Sequence, residues 1–314
     1  MFSPPAQDMR GASGSINGSK GLVPTPIAGD HIKTLLGTGL WSTLSAFIDG
    51  ALSTSITDRG SIIQRGAAGW VVFTPGTTNQ FLRTNGGGAD PSWAKVPGTF
   101  LRRTVYLSGS GTHTPGSDAA LLNRRIVGGG GGGAGSNSVI GSASCGAGGG
   151  CGAYCELFSA AAAEAYSVGA GGTAGAAGAP TGATNGGTGG DTTLGAMSAD
   201  GGVGGAAMTA GTTPAISAGG TSSPSSGGDI NAAGGPGLPG FIFTGLIGKS
   251  GEGGSGIYGS GGEARYATAN GVTADGYGGG GGGASSIATG AGATPNARTG
   301  GVGAPGIIVI DEYA

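Results

Sequence analysis

A glycine at every third position, in separate stretches of one region, constrains this chain more than any other feature of its sequence. The runs are Gly169, Gly172, Gly175 and Gly178; Gly253, Gly256, Gly259 and Gly262; and Gly300, Gly303 and Gly306. A period of three fits neither an α-helix nor a β-strand, but it is the repeat of the extended polyproline II helix. That helix makes no internal hydrogen bonds, so its N–H and C=O groups need partners on neighbouring segments wherever it is buried.

The region 128–306 can be interpreted as an ordered bundle or as a flexible linker. Glycine lets two backbones approach closely, so helices of this kind can hydrogen-bond sideways, with only glycine inside and the other positions facing out. Gly/Ser-rich linkers have a similar composition. Order is favoured because charges are sparse, whereas disordered chains are usually rich in charge. The region also ends in an apolar strand, Ile307 to Ile310, which is expected to pair with Leu121 to Val127 or with Leu101 to Leu107 and to close the region at its base.

Composition limits how such a chain can be stabilised. Glycine accounts for 79 of the 314 residues and aromatic residues for 6%, so a large apolar core of the usual kind cannot be built. We therefore expect stability to come from backbone hydrogen bonds and from association of several copies of the chain. The formal net charge of −2 does not indicate a nucleic-acid partner.

The sequence has no pattern typical of an enzyme or a metal site. Cys145, Cys151 and Cys155 match no zinc spacing, and free thiols are expected. Asp311 and Glu312 are adjacent on a predicted strand and should point to opposite faces, unlike the facing carboxylates of a glycosidase. We therefore expect no catalytic residue, no cofactor and no metal.

No targeting or membrane segment is predicted either. Residues 1–8 contain neither a basic nor an apolar stretch, so a secretion signal is not expected. The most apolar run, 240–248, is far shorter than the ~20 residues that a membrane helix requires.

Short strands and one helix are predicted before the glycine-rich region. From Ser42 to Leu52 apolar residues recur at helical spacing, which predicts a short amphipathic helix with Ser42 as its cap. The same chain or other copies of it must cover the apolar face of this helix, and the thin core favours copies. The expected hairpins are one that turns at 37–39, one that pairs Ser61 to Arg65 with Gly69 to Thr74, and one that pairs Gln80 to Thr84 with Ser92 to Val96.

Two sequence phrases stand out in this front part. One reads Gly-Leu-Val-Pro-x-Pro-x-x-Gly-Asp with a later Leu-Gly-x-Gly-x-Trp; the other joins Gly-Ser-x-x-x-Arg-Gly-x-x-Gly-Trp to Gly-Ala-Asp-Pro-x-Trp. Both resemble tail-fibre and related virion proteins of tailed bacteriophages, although Leu35 replaces the usual aromatic residue. The three tryptophans are interpreted as buried anchors rather than as ligand platforms. The matching residues are Gly21, Leu22, Val23, Pro24, Pro26, Gly29, Asp30, Leu36, Gly37, Gly39 and Trp41, then Gly60, Ser61, Arg65, Gly66, Gly69 and Trp70, then Gly88, Ala89, Asp90, Pro91 and Trp93.

The glycine-rich part carries a further resemblance. Its matching features are Arg124-Arg-Ile-Val before Gly128 to Gly133, the Ala165-Tyr-Ser-Val-Gly phrase, the run Gly278 to Gly283, and the ending Gly303-Ala-Pro-Gly-Ile-Ile-Val-Ile. It is similar to a glycine-rich domain at the ends of phage fibres and in T-even-type tip adhesins. The resemblance implies polyglycine helices stacked into a sandwich, with variable loops at the far end.

These resemblances imply a non-enzymatic tail-fibre or tail-tip protein that binds a receptor on the host. They imply a homotrimer, assembled unprocessed in the host cytoplasm, that joins other tail or baseplate proteins through its front end. Its receptor would be a glycan or an outer-membrane protein on the bacterial surface, and nucleic acid is not an expected partner. The alternatives are a head fibre or virion decoration protein without receptor binding and, less favoured, a polysaccharide depolymerase.

The expected fold is mainly β and irregular. An extended segment with the short helix occupies 1–57 and attaches to the virion, and a hairpin neck occupies 58–100. The glycine-rich domain, 101–314, is expected to be a bundle of polyproline II-like helices closed by short strands, in a trimeric fibre.

The receptor-binding surface is predicted at the far turns of the bundle, because both ends of the glycine-rich region should lie at its base. Aromatic rings provide a large contact area at a low entropic cost. The alternative is that 241–247 packs against a neighbouring chain or caps the bundle. The candidate receptor-binding residues are Phe241, Ile242, Phe243, Tyr258, Tyr266 and Tyr277.

Overall fold

The fold was determined as a computed structural model, which describes residues 33–35, 41–43, 58–67, 69–78, 80–179, 182–290 and 292–314. The chain divides into two compact units, Met1–Val96 and Pro97–Ala314. All helical or strand structure within the described residues is β-strand, which confirms the mainly β prediction. No helix in these ranges has the length and apolar character needed to span a membrane.

The strands are short and distributed along the whole described chain. They are β1 (Lys33–Leu35), β2 (Trp41–Thr43), β3 (Ile62–Gly66), β4 (Gly69–Phe73), β5 (Gln80–Arg83), β6 (Ser92–Lys95), β7 (Phe100–Tyr106), β8 (Ser110–His113), β9 (Leu121–Val127), β10 (Ser144–Cys145), β11 (Tyr154–Ala160), β12 (Glu164–Ser167), β13 (Thr192–Leu194), β14 (Met197–Ala199), β15 (Ala215–Ser217), β16 (Ile230–Ala232), β17 (Gly240–Thr244), β18 (Ile247–Lys249), β19 (Gly259–Ser260), β20 (Asp275–Gly276), β21 (Ser285–Ser286) and β22 (Ile307–Tyr313).

The first unit contains the predicted hairpins. Strand β1 pairs with β2, β3 with β4, and β5 with β6, all antiparallel. The ring of Trp93 stacks on Phe73 with 5.4 Å between ring centroids, and its Nε1 donates to the carbonyl of Thr74 at 2.7 Å. Trp70, by contrast, is 72% exposed, so its prediction as a buried anchor is wrong within the single chain. The side chain of Trp41 lies outside the described residues.

The predicted helix from Ser42 to Leu52 does not begin where expected. Ser42 lies in β2, opposite Thr34 of β1, so its backbone is extended at the position assigned to a helix cap. The strand propensity of the neighbouring Trp41 and Thr43 and the pairing with β1 account for this outcome. Residues 44–57, which carry the rest of the prediction, lie outside the described residues.

The second unit is built on two antiparallel sheets at its base. One has the strand order β16-β11-β9-β22-β7 and the other the order β14-β13-β12-β8. Strand β22 lies between β9 and β7 and pairs with both; both proposed partners of the closing strand are therefore confirmed. The residues of the core at this base include Leu122, Ile126, Cys155, Leu194, Met197, Ile308 and Ile310.

Asp311 and Glu312 point to opposite faces of β22, as predicted. Asp311 accepts bonds from Arg103 at 2.6 and 2.8 Å and from Arg125. Glu312 accepts from Arg102 at 2.7 Å. The hydrogen bonds from these arginines lower the pKa of both carboxyl groups below its ordinary value. Both acids are thus engaged in ion pairs that join strands of the base.

Above this base, extended glycine-rich segments hydrogen-bond sideways in a pattern that repeats every third residue. Segment 128–136 donates in turn to 147–153, 184–190 and 298–304, through bonds such as Gly131 to Gly150, Gly132 to Gly187 and Gly133 to Gly301. Its carbonyls accept from 172–178, 202–205 and 281–284. One segment thus bonds to three neighbours as donor and to three as acceptor. We call the hydrogen-bonded segments between Gly128 and Gly306 the glycine lattice.

Glycine is required where the lattice segments meet. Gly169, Gly172, Gly175 and Gly178 are buried, while the intervening Ala170, Thr173 and Ala176 are exposed. A Cβ atom added to Gly172 would lie 2.6 Å from the backbone nitrogen of Gly132, closer than real Cβ contacts allow. The triplet spacing in this run therefore separates an inward row without side chains from outward positions that tolerate them.

The second run of triplets, unlike the first, does not form one continuous segment. The chain reverses within it, so that Gly253 donates to the carbonyl of Gly262 and Gly256 to that of Gly259, each at 2.9 Å. Gly256 is exposed, and a Cβ atom there would overlap the Sγ of Cys151 but would meet no backbone atom. The regular spacing in the sequence is interrupted here because the turn places Gly256 outside the lattice.

The chain crosses the lattice repeatedly, so its far turns come from several stretches rather than from one. Because 128–136 runs away from Val127 of the base sheet, the end of the unit opposite this sheet lies beyond Ser136. We call it the far end. The described stretches that turn there are 137–144, 182–183, 207–217, 240–250, 265–269, 286–290 and 292–297.

Candidate recognition surface

A small three-stranded sheet with a buried inner face and an exposed outer face lies at the far end. Its strand order is β15-β17-β18, and side chains alternate across its faces because successive residues of a strand point in opposite directions. Ile242, at the centre of β17, is 2% exposed. It belongs to an apolar cluster on the inner face, whose other buried members are Ala143, Cys145, Met208 and Ile287.

The outer face of this sheet is apolar and open to solvent. Ile216 of β15 lies opposite Phe241 of β17, and the rings of Phe241 and Phe243 stack with 6.2 Å between centroids and 12° between planes. Phe243 is 55% exposed and Ile247 58%. A register shift between Ile242 and Thr244 marks a bulge in β17, and the stacking keeps both phenylalanines on the same face despite it.

A cation and a further ring extend this face. Lys249 of β18 lies opposite Phe241, and its Nζ is 5.3 Å from the centroid of the Tyr266 ring, within the range of a cation–π interaction. The Tyr266 side chain is 71% exposed. We call the combined surface the far-end surface; it comprises Ile216, Phe241, Phe243, Ile247, Lys249 and Tyr266.

The six residues proposed from the sequence do not form one surface. Phe241, Phe243 and Tyr266 are brought together at the far end. Ile242 faces inward, so its assignment to a binding surface is wrong. Tyr258 and Tyr277 pack at the opposite end, against the base cluster of Val127, Ile307 and Val309. Lattice segment 251–254 carries the chain from the far end to the base, where it reverses around Tyr258. The spacing of tyrosines along the sequence does not show this.

Sequence reasoning missed two contributors to the far-end surface. Ile216 is the lone large apolar residue of β15 and lies 25 positions before Phe241, and only the strand pairing brings the two together. Lys249 directly follows the apolar run 240–248, but its contact with Tyr266 depends on the return of the chain through 265. The alternation in Gly-Phe-Ile-Phe-Thr was the available signal that Phe241 and Phe243 share a face and Ile242 the other.

Burial shifts the pKa values of buried cysteines and of His113 in the second unit. Cys145, Cys151 and Cys155 are buried free thiols, and burial raises the pKa of Cys145 and Cys151 to about 11, so these thiols stay protonated and unreactive. Burial also lowers the pKa of His113. No group of His, Cys, Asp and Glu in the described ranges has the arrangement needed for a metal ion.

A shallow groove of about 420 Å³ lies beside the base, between 255–260 and Asp275. Asp275 is the carboxylate among its lining residues, and its Oδ1 accepts a bond from the N–H of Gly276 at 2.8 Å. This local bond is typical of a turn. The far-end surface is therefore the stronger candidate for recognition.

Comparison with models of known protein families found no match, and comparison with curated protein sequences found none either.

Proposed function

We propose that this chain is a tail-fibre or tail-tip protein of a tailed bacteriophage, a non-enzymatic structural component whose far end binds a receptor on the bacterial surface. The observation that carries the proposal is the far-end surface itself. Phe243, Ile247 and Tyr266 are each more than half exposed at the end of a hydrogen-bonded lattice, and exposed apolar groups that form a patch mark interaction sites.

The architecture supports this function because it holds turns on a rigid support. Binding residues commonly lie on loops that a rigid scaffold positions. Here the scaffold is the glycine lattice, whose segments each bond to several neighbours, and both of its ends, Gly128 and Gly306, lie at the base. The segments, in this proposal, adopt the polyproline II-like conformation that the triplet spacing predicts.

The first unit suits attachment and association in this proposal. Segment 1–57 joins other virion proteins of the tail or baseplate, and the neck associates as a homotrimer. An isolated two-stranded hairpin is marginally stable in water, yet β3–β4 and β5–β6 expose Trp70, Val71 and Leu82. Burial of these side chains between copies would stabilise the neck. The particle component would be assembled in the host cytoplasm.

Two other functions are less well supported. A head fibre or decoration protein could be built on the same lattice, but that function does not explain an exposed aromatic surface at the far end. A polysaccharide depolymerase needs a pair of acids that face one substrate. Asp311 and Glu312, the adjacent acids of β22, lie on opposite faces and are paired with arginines.

The test compares Phe243→Ser with Phe158→Ser. Phe158 lies on β11 at the base and is 51% exposed, so both changes remove a similarly exposed ring at opposite ends of the unit. We expect Phe243→Ser to abolish adsorption to host cells and to leave trimers intact, while Phe158→Ser adsorbs normally. Normal adsorption of Phe243→Ser would contradict the receptor role.

Ile242→Ala provides a further reference for that experiment. Its side chain is buried in the inner cluster, so truncation should destabilise the far end by about 2 to 5 kcal/mol. A loss of adsorption that accompanies unfolding can thus be told apart from the loss expected of Phe243→Ser, in which the fold persists.

A further inference from the structure

The charges of the far end are all of one sign. The stretches that turn there contain Lys249 and Arg265, and Arg298 follows at their border; the sequence places no Asp or Glu in any of these stretches. The acids next to them in sequence, Glu252 and Glu263, lie within lattice segments towards the base. Neither forms an ion pair with these cations within the described ranges.

Backbone contacts hold these cations on adjacent stretches. The N–H of Ser250, next to Lys249, donates to the carbonyl of Arg265 at 2.9 Å, and the N–H of Arg265 donates to the Ser250 Oγ at 2.8 Å. The Nε of Arg265 donates to the carbonyl of Asn270 at 3.2 Å. The side chain of Asn270 accepts from the N–H of Thr299, the residue after Arg298, at 3.3 Å. Lys249, Arg265 and Arg298 thus follow one another across the far end.

We propose that the far end binds an acidic polysaccharide, a sugar chain that carries carboxylate, phosphate or sulfate groups. This inference rests on the proposed function and names the chemistry of its receptor. Arginine and lysine form charge-assisted hydrogen bonds with such groups, and the exposed rings of Tyr266 and Phe243 would cover the apolar C–H faces of the sugars. The far end has few cations, and aromatic rings lie between them, so its charge density suits a polymer with one charge per sugar or fewer. A nucleic acid carries a phosphate on every nucleotide and requires a denser basic surface.

The experiment measures binding of the full chain to immobilised polygalacturonate and to lightly sulfated dextran, which carries no more than one charge on each sugar, with neutral dextran as the reference polymer. We expect binding to at least one acidic polymer and none to dextran. Affinity should fall when salt rises from about 0.05 M to about 0.5 M, because the added ions shorten the screening length. Absence of binding to both acidic polymers, or equal binding to dextran, would overturn the inference.

Matched variants locate the binding site. The double change Lys249→Gln and Arg265→Gln should weaken binding about ten-fold or more, as expected for the loss of charge-assisted contacts. The control, Arg59→Gln and Arg65→Gln, removes the same number of positive charges from exposed positions of the first unit and should leave affinity unchanged. Equal weakening by both pairs would show non-specific attraction and contradict the site.

Failure of this inference can be distinguished from failure of the proposed function. If Phe243→Ser abolishes adsorption to cells while Lys249→Gln with Arg265→Gln adsorbs normally, the far end binds a receptor of other chemistry, such as a protein, and the acidic polysaccharide is excluded. If Phe243→Ser adsorbs normally, the receptor role itself is refuted.

Discussion

Substitution of Gly175 by Val tests directly whether the lattice is held by close backbone approach. Gly175 donates to the carbonyl of Gly133 and accepts from the N–H of Gly300, both at 2.9 Å. A Cβ atom on Gly175 would lie 2.5 Å from the nitrogen of Gly135 and overlap the carbonyl oxygen of Thr184. These two atoms are hydrogen-bonded to each other at 3.1 Å, so the added atom would occupy the position of that bond.

The cost follows from the groups left without partners. If only the bond between Gly135 and Thr184 is lost, the buried N–H of Gly135 is stranded, at about 1 to 3 kcal/mol, whereas Thr184 is an exposed residue whose carbonyl can turn to water. The free energy of unfolding should therefore fall by about 1 to 3 kcal/mol, a substantial share of the 5 to 15 kcal/mol that is typical of folded domains. The matched change Ala176→Val, at the exposed neighbouring position, should alter stability by less than about 0.5 kcal/mol.

Hydrogen exchange measured by mass spectrometry is the appropriate assay, because it reports the opening free energy of individual segments. Peptides that cover 128–136 should lose protection in Gly175→Val and keep it in Ala176→Val. Similar protection in both variants, or no protection in the unmodified chain, would refute the argument that glycine is required by packing and would favour the flexible linker.

Further predictions concern glycine position, pH and thiol reactivity. Gly254→Ala should destabilise the protein more than Gly256→Ala in thermal unfolding. A Cβ atom at Gly254 would overlap lattice backbone, whereas one at Gly256 would overlap only the Cys151 Sγ, a side-chain atom that can move. The reverse order would contradict the assignment of Gly256 to a turn. Burial lowers the pKa of His113 in the fold, so the free energy of unfolding should decline as pH falls below about 6.5. His113→Gln should reduce the dependence of this free energy on pH between about 7 and 5. An unchanged slope would exclude His113 as the cause. Cys145 and Cys151, whose pKa is raised to about 11 by burial, should not react with a thiol reagent until the protein is denatured; fast reaction of the folded protein would show that they are accessible.

The elements that could be predicted from the sequence are those with local signals. Leu121–Val127 matches its predicted strand, because its apolar residues determine its type and the glycine run from Gly128 determines where it ends. The hairpins of the first unit were likewise marked by their turns. The inward-facing row of glycines from Gly169 to Gly178 could be predicted from the three-residue period alone, because one position in three must lack a side chain where two backbones meet.

The candidate site was predicted only in part because it depends on how the chain returns across the lattice. Local alternation was enough to place Phe241 and Phe243 together, but the same alternation turns Ile242 inward. Tyr258 is separated from Tyr266 by a few residues in sequence and by the length of a lattice segment in space. No local pattern distinguishes a turn at the base from one at the far end, since both are rich in glycine and small polar residues.

The measurement that tests the proposed function most directly is the position of the far end on the virus particle. The native cysteines are buried, so Leu246→Cys, at a position 47% exposed in the far-end turn, can be labelled selectively with a maleimide gold particle. Ile230→Cys, at the base and 52% exposed, serves as the second label. Electron microscopy of particles should show both labels on the tail, with the Leu246→Cys label outermost. Labels on the head, or the Ile230→Cys label outermost on the tail, would contradict the account.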